Sequence, residues 1–496
     1  MQPIRRFTVT LAAAALAALA AGAALAAGAA LAAPAAAPPA PEWPGTELAR
    51  HAQAWFAMLA GSEADARRFF AEHFAPSALA EAGVDVRLER RLATIERTGG
   101  LTPLEVVNDD PDLVEVRCRA GNGDDVIASI SGEPRPPHRI TGVMLEASPN
   151  GPGERRPRRS AAPPLDDAAV VERMRELLDE RAAAGGFSGV ALLARGDQVL
   201  LAGARGLADR ERKTPVTTTT RFNLASIGKL FTRTAVAQLA EQGRLSLDDR
   251  LSRYLPDFPH ADSITLGMLC AHRSGVGDFF NEAFAAMDRS KLRHNRDYLS
   301  LIRDQPLWFA PGTSQRYSNG GYVLLGEVIA KAAGEDYYDY LAKHVFGPAG
   351  MTATGSPIEG DGTPGLARGY TRDGAEAGPE RDNAGTRPAR GSAAGGGYST
   401  AADLLAFDRA LFAGRLCSPA WATWVAGGPR PGSGAAAPQG PPSAGFAGGA
   451  PGVSTEWTHE GDATLIVLTN RDPETSGPVV DALRDLVRRM RPTPRP

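Results

Sequence analysis

The chain has 496 residues, 43% of them hydrophobic and 22% charged, which is enough for two or three ordinary globular domains and more than one core. A net charge of −3 gives no electrostatic reason for nucleic acid or an anionic membrane surface as partner, so that class is excluded. Three cysteines far apart in sequence and eight histidines without metal-ligand spacing imply neither a disulfide framework nor a metal site, and no cofactor is expected.

The chain opens with Arg5 and Arg6 before an Ala/Leu run from Thr8 to Ala33 that ends in small residues, which predicts a signal peptide over residues 1–33 and an exported protein, periplasmic or extracellular. An uncleaved spanning segment is the alternative, although alanine partitions weakly into lipid. After the Pro/Ala stretch Pro34–Pro41, a small α+β unit is expected over residues 42–147. Its helical patterns are Glu47–Leu59, Ala64–Phe70 and Pro76–Glu81, and its strand patterns Leu104–Val107, Leu113–Cys118, Asp125–Ile130 and Ile140–Glu146. A Pro- and Arg-rich linker follows over residues 148–166.

The third unit spans residues 167–490. It begins with a helix over Asp167–Ala184 and a hairpin of Gly189–Ala194 with Gln198–Gly203 around Arg195-Gly196-Asp197. It ends with strands Gly452–Thr458 and Ala463–Thr469 and an amphipathic helix over Pro478–Met490. Strands at both ends around a helical middle imply one antiparallel sheet built by the two termini, with helices packed on it. Two Gly/Pro/Ala-rich tracts, Gly360–Arg390 and Gly427–Gly449, lack apolar periodicity and are expected as surface loops bordering a site.

Two stretches carry chemistry. Phe222-Asn223-Leu224-Ala225-Ser226-Ile227-Gly228-Lys229 runs into the helical pattern Leu230–Gln242 and stops at Gly243, a natural residue to close a helix. Ser226 and Lys229 then share one helix face at its N-terminus, where the lysine reaches the serine oxygen and the helix dipole favours developing negative charge. The chain holds five lysines, Lys213, Lys229, Lys291, Lys331 and Lys343, and Lys229 alone has a serine three residues earlier. A serine hydroxyl needs an adjacent base, and a desolvated lysine supplies one where an arginine cannot. The plain alternative is an ordinary helix start, with Ser226 as N-cap and Lys229 solvated.

The second stretch, Arg316-Tyr317-Ser318-Asn319-Gly320-Gly321-Tyr322, lies between the turn Pro311-Gly312 and the helical pattern Val323–Ala333. It presents Tyr317 and Asn319 from a loop. A tyrosine beside a lysine cation can serve as base toward serine and then as acid toward the leaving group, while Asn319 offers an amide to the substrate or simply caps the helix.

Together these stretches resemble the family of class C β-lactamases, D-alanyl-D-alanine carboxypeptidases and related esterases, over about Asp167–Met490. The resemblance implies a β-lactamase/transpeptidase-like fold with Ser226, Lys229 and Tyr317 as catalytic residues. The segments Leu269–Val276, Gly347–Thr352 and Gly395–Leu404 are also similar to the family's, and are read as structural: His272 fixes a loop, and Ser399 or Thr400 with Asp403 makes a capping box. The preceding α+β unit resembles nuclear-transport-factor-2-like domains in element order, and reads as a spacer, a dimerisation unit or a small binding module.

The chain departs from the family at its third motif. Where the family carries Lys or His on the strand lining the site, this chain has Phe446 in Phe446-Ala447-Gly448-Gly449. Loss of that cation turns recognition away from a substrate carboxylate toward neutral esters or amides. Phe446, Gly448 and Gly449 are the expected substrate-binding residues with Asn319, and the implied oxyanion donors are the backbone N–H of Ser226 and one near Gly449. Three functions remain open: an exported serine hydrolase acting on a small-molecule or peptide acyl substrate, with a cell-wall fragment as one source; a β-lactamase or D-peptidase; and a non-catalytic cell-wall binding or sensor protein. The sequence leaves the oligomeric state undefined.

Overall fold

The computed structural model describes residues 41–491 apart from 82, 111–112, 134–135, 148–163, 359–362, 373–379 and 434–442. The expected signal peptide over residues 1–33, residues 34–40 of the Pro/Ala stretch and all but the last three residues of the 148–166 linker lie outside the described residues.

Four helices open the described chain: α1 (Glu47–Leu59), α2 (Glu63–His73), α3 (Pro76–Glu81) and α4 (Val84–Thr98). They lead into an antiparallel meander of β1 (Leu101–Asp110), β2 (Leu113–Ala120), β3 (Asp125–Gly132) and β4 (Ile140–Ala147). Thr46 caps α1 and Ser62 closes a capping box with Asp65 on α2, which sets both starts. One face of the sheet, carrying Val114, Val116, Ala128 and Ile130, packs on Leu48, Ala52, Phe56 and Phe70 to form a core of its own. Helix α4 has no counterpart among the sequence expectations. Its inner face includes Arg87 and Arg91, whose guanidinium groups are spent on the carbonyls of Ala78, Met58, Leu59 and Gly61, so apolar periodicity passes it over.

Helix α5 (Asp167–Ala183) and the hairpin of β5 (Gly189–Arg195) and β6 (Gln198–Arg205) begin the larger part. Its central elements are the helices α6 (Gly228–Glu241), α7 (Asn319–Ala333) and α8 (Ala401–Phe412). It closes with β7 (Ser443–Ala450), β8 (Val453–Glu460), β9 (Ala463–Thr469) and α9 (Pro473–Arg488). The five strands form one antiparallel sheet in the order β7-β8-β9-β5-β6, so the two ends of this part meet as β5 paired with β9, Leu192 opposite Ile466.

Both faces of that sheet are covered. Leu192, Ile466 and Leu468 point into a core shared with α6, α7 and α8, while Leu193, Leu465 and Val467 point the other way against Met174, Leu178 and Leu483 of α5 and α9. Burial on two faces is why the central strands read as unbroken apolar runs. Helix α6 is buried on nearly every side from Gly228 to Leu239, and so runs through the middle of the helical part, carrying Lys229 into the interior.

Both loop expectations are corrected in part: within Gly360–Arg390 the short strand Tyr370–Thr371 pairs with Arg381–Asp382 and is buried. The tract Gly427–Gly449 is not a loop throughout: from Ser443 it forms the edge strand β7, paired with β8 from Ser443 opposite Glu460 to Ala450 opposite Val453. Its glycines and alanines hide strand periodicity, and the pairing partner supplies the conformation instead.

Candidate active site

Ser226 sits in a 3-10 turn, Ala225–Ile227, that feeds directly into α6. The turn is held from two sides. Asn223 accepts the Ala225 N–H through its Oδ1 at 2.8 Å, and Ala225 itself has φ 45, a left-handed conformation costly for a residue with a Cβ. The loop Gly395–Gly397 then wraps the turn: the Gly396 N–H donates to the Ala225 carbonyl at 2.9 Å and the Leu224 N–H to the Gly397 carbonyl at 3.1 Å. Gly395 has φ 143, and a Cβ there would meet the Ala225 carbonyl oxygen at 2.4 Å, so this approach requires glycine.

The serine hydroxyl meets two groups. Ser226 Oγ lies 2.7 Å from the Tyr317 hydroxyl and accepts from Lys229 Nζ at 3.1 Å. Lys229, 1% exposed, also donates to Asn319 Oδ1 at 2.7 Å and to the Ala394 carbonyl. Three acceptors match the three protons of an ammonium. The cation also lies 4.7 Å from the centre of the Tyr317 ring and 5.4 Å from that of Tyr322.

Asn319 is the first residue of α7. Ser318 is the N-cap, its Oγ accepting the Gly321 N–H at 2.9 Å, so the helix starts four residues before the sequence pattern places it. The Asn319 amide is spent on the protein on both sides, with Oδ1 on Lys229 and Nδ2 donating to Asp278 Oδ2 at 2.9 Å. Asp278 Oδ2 also accepts the Asn319 backbone N–H at 2.9 Å. This carboxylate fixes which end of the amide faces the lysine. Sequence reasoning missed Asp278, because no spacing relates it to Asn319 forty-one positions later.

His272 steadies Tyr317 from below. Its ring stacks on Tyr317 at 4.5 Å and on Tyr322 at 5.1 Å, and its Nδ1 accepts the Ser318 N–H at 3.1 Å. Burial, with the charges of Lys229 and Arg233 adding to it, pushes the imidazole down to about 3, so the ring is neutral and its Nδ1 free to accept. Thr400 caps α8 by accepting the Asp403 N–H at 3.1 Å, but no reciprocal box forms. The Asp403 carboxylate instead takes the Ala353 N–H and the Thr354 hydroxyl, each at 2.7 Å, which ties α8 to the neighbouring turn.

Strand β7 closes the third side. At Gly448 a Cβ would lie 3.0 Å from the Ser226 nitrogen and 2.5 Å from the Leu224 carbonyl oxygen, so the backbone of β7 lies directly against the nucleophile turn. Phe446 is half-buried two residues earlier on the same face, its ring 6.4 Å from that of Trp457. Gly449 points the opposite way, toward Pro473 at the start of α9. Ser226, Lys229, Tyr317 and Asn319 thus form one hydrogen-bonded cluster, Gly448 abuts its backbone, and Phe446 and Gly449 flank it without joining that network.

Sheet, helical part and cluster together define a β-lactamase-type serine-hydrolase fold. The sequence profile of the Beta-lactamase family matches residues 174–489, and the chain belongs to that family. It is 37% identical over 170 residues to Penicillin-binding protein 4* of Bacillus subtilis, covering 34% of this chain and 38% of that protein. It is 34% identical over 207 residues to Esterase EstB of Burkholderia gladioli, covering 38% and 53%. The chain therefore spans about half the length, or less, of these curated relatives. Among solved structures, the D-amino acid amidase of Ochrobactrum anthropi aligns with a TM-score of 0.55 at 26% identity, over 64% of this chain and 98% of that one.

Proposed function

We propose that the chain is a serine hydrolase that forms an acyl-enzyme on Ser226 and cleaves an ester, amide or peptide. The observation that carries this reading is the pair of contacts on one oxygen, Tyr317 at 2.7 Å and Lys229 at 3.1 Å. Lys229 acts as the ammonium that its three acceptors suit, and Tyr317, entering the reaction as the phenolate that this neighbouring cation stabilises, is the group that takes the serine proton. Ser226 Oγ attacks the acyl carbon, its proton passes to the Tyr317 oxygen, and the new oxyanion is met by backbone N–H groups of the nucleophile turn and of β7. Tyr317 then returns the proton to the departing alcohol or amine, and a water molecule, activated in the same way, releases the acid and frees Ser226.

Phe446 supports an apolar neighbour for the scissile bond in place of a carboxylate beside β7. The basic, alanine-rich start of the chain supports export to the periplasm or beyond, and release of the mature protein into that compartment with residues 1–33 removed is the expected result of fractionation and N-terminal sequencing.

Labelling of the purified protein with a fluorophosphonate and, in parallel, with a fluorescent penicillin tests the reading, with Ser226→Ala as control. Fluorophosphonate labelling that disappears in Ser226→Ala is the expected result. Penicillin labelling as well would favour a β-lactamase or D-alanyl-D-alanine carboxypeptidase, and no Ser226-dependent label from either probe would favour a non-catalytic cell-wall binding protein.

A further inference from the structure

A cavity of about 570 Å3 lies between the segment Asp288–Arg293 and the loop at residues 384–389. Arg289, Arg293 and Arg387 line it, with Ser290 and a single acid, Asp288, so cations exceed anions there by three to one. The Asp288 carboxylate accepts the Ser290 N–H at 3.0 Å, and the Ser290 hydrogen bonds hold its pKa below the ordinary carboxylate value, so it stays ionised and the three arginines still leave the lining cationic. The buried Nε of Arg289 has no hydrogen-bond partner among the described residues, and the Arg293 side chain is exposed. The cavity thus gathers three planar donor groups of the kind that match a carboxylate in pairs.

Both walls of the cavity are tied by chains of contacts to residues that hold the nucleophile cluster. On one side, Asp278 holds Asn319, and two residues later the ring of Phe280 stands 59% exposed. That ring lies 5.1 Å from Phe284, whose own ring carries the Arg289 guanidinium at 4.8 Å. On the other side, Arg387 donates to the Tyr398 hydroxyl at 3.3 Å, Tyr398 pairs with Asn223, and Gly396 grips Ala225. These contacts connect the arginine-lined cavity to the supports of Ser226, and an elongated substrate reaching from Ser226 in this direction would pass the exposed Phe280 ring.

We propose that this cavity binds a carboxylate carried by the substrate at a distance from its scissile bond, with Arg289, Arg293 and Arg387 as the recognising cations. The inference rests on the acyl-serine reading above and narrows its substrate class. The cation that is absent at Phe446 is compensated by this cationic site away from the scissile bond, so the acceptable substrates are elongated and anionic at one end. Nothing else about the cluster at Ser226 has to change.

Ester pairs that differ by one carboxylate group test this. The p-nitrophenyl ester of butyric acid is compared with that of glutaric acid, which places a carboxylate on the acyl side. Phenyl acetate is compared with 3-acetoxybenzoate, which places it on the leaving side. Wild-type enzyme should prefer the anionic member of at least one pair by about 10-fold in kcat/KM, the size expected for a charge-assisted contact, and the preference should shrink as salt is raised. In Arg293→Glu, and independently in Arg293→Gln/Arg387→Gln, the ratio of anionic to neutral kcat/KM should fall by about 10-fold or more. Reading the result as a ratio cancels any general loss from imperfect folding. Equal kcat/KM for both members of both pairs, or a preference untouched by the arginine variants, would overturn the anion site while leaving the serine mechanism standing. Absence of Ser226-dependent turnover of every ester would overturn the mechanism, and this inference with it.

Discussion

The carboxylate of Asp278 reaches Lys229 through a single amide, and that makes it the residue where positioning can be separated from chemistry. It touches neither Ser226 nor the path of the proton; it fixes Asn319, whose Oδ1 holds the ammonium. Asp278→Ala leaves two donors of Asn319 without their acceptor and lets the amide turn, so the rate of fluorophosphonate labelling is expected to fall by about 100-fold, with Asp278→Asn falling by about 10-fold because one oxygen survives. A labelling rate in Asp278→Ala within a factor of about two of wild type would remove Asp278 from the site. His272 gives a second test, on stability. Its pKa is about 3 when folded against an ordinary 6.5, so between those values the unfolded chain binds a proton that the folded chain does not. The associated stability is fully present above about pH 6.5, declines as pH falls, and is lost by about pH 3. His272→Asn keeps a side-chain acceptor and tolerates the φ of 58 at this position, so it should flatten the fall of Tm between pH 6.5 and pH 4; an unchanged slope would show that the ring does not carry that proton linkage.

At the scale of elements, the site is the meeting of one helix start, one helix cap and one edge strand, and the sequence shows these three very unequally. The start of α6 is legible because Ser226 and Lys229 stand three apart before an apolar run that ends on Gly243. The cap of α7 is half legible: Ser318 is a good N-cap residue, but Gly320 and Gly321 weaken the helical pattern, so the helix is read four residues late and Asn319 is mistaken for loop. Strand β7 is nearly illegible from its own residues, since Ser-Ala-Gly-Phe-Ala-Gly-Gly-Ala has neither β-branched side chains nor alternation, and only the register with β8 makes it a strand. The glycines that hide it are the ones the site needs. Gly448→Ala would set a Cβ 2.5 Å from the Leu224 oxygen and 2.4 Å from Thr455 Oγ1, forcing β7 away from the nucleophile turn. Overpacking of that kind costs about 1–3 kcal/mol of stability. The larger effect should be on chemistry: displacement of the strand's backbone donors should slow acylation of Ser226 by about 100-fold or more. Labelling at the wild-type rate by a folded Gly448→Ala protein would show that β7 does not support the reacting oxygen.

Across the whole molecule, the described residues divide their apolar side chains among three cores. One is built solely from residues between Trp43 and Leu145, and the other two lie on opposite faces of the five-stranded sheet, built from Leu165 to Met490. The sheet was foreseeable because β5 and β9 are apolar runs at the two ends of one unit, whereas the contact of α4 with α9 was not, because α4 itself went unseen behind its charged residues. Beside it, the turn between β2 and β3 gives an ion pair, Asp124 to Arg488 of α9 at 3.8 Å, with both side chains more than a third exposed, so it contributes at most about 1 kcal/mol. Separate cores predict separate unfolding. Calorimetry of the full chain should show two transitions, and a chain starting at residue 164 should lose one of them while keeping the other within a few degrees. The same truncated chain should keep Ser226-dependent labelling within about threefold of the full chain, because every side chain of the Ser226 cluster comes from residues beyond 222. A single cooperative transition in the full chain, or a truncated chain that folds but no longer labels, would instead make the first unit part of the working hydrolase, with its contact on α9 as the route by which it acts.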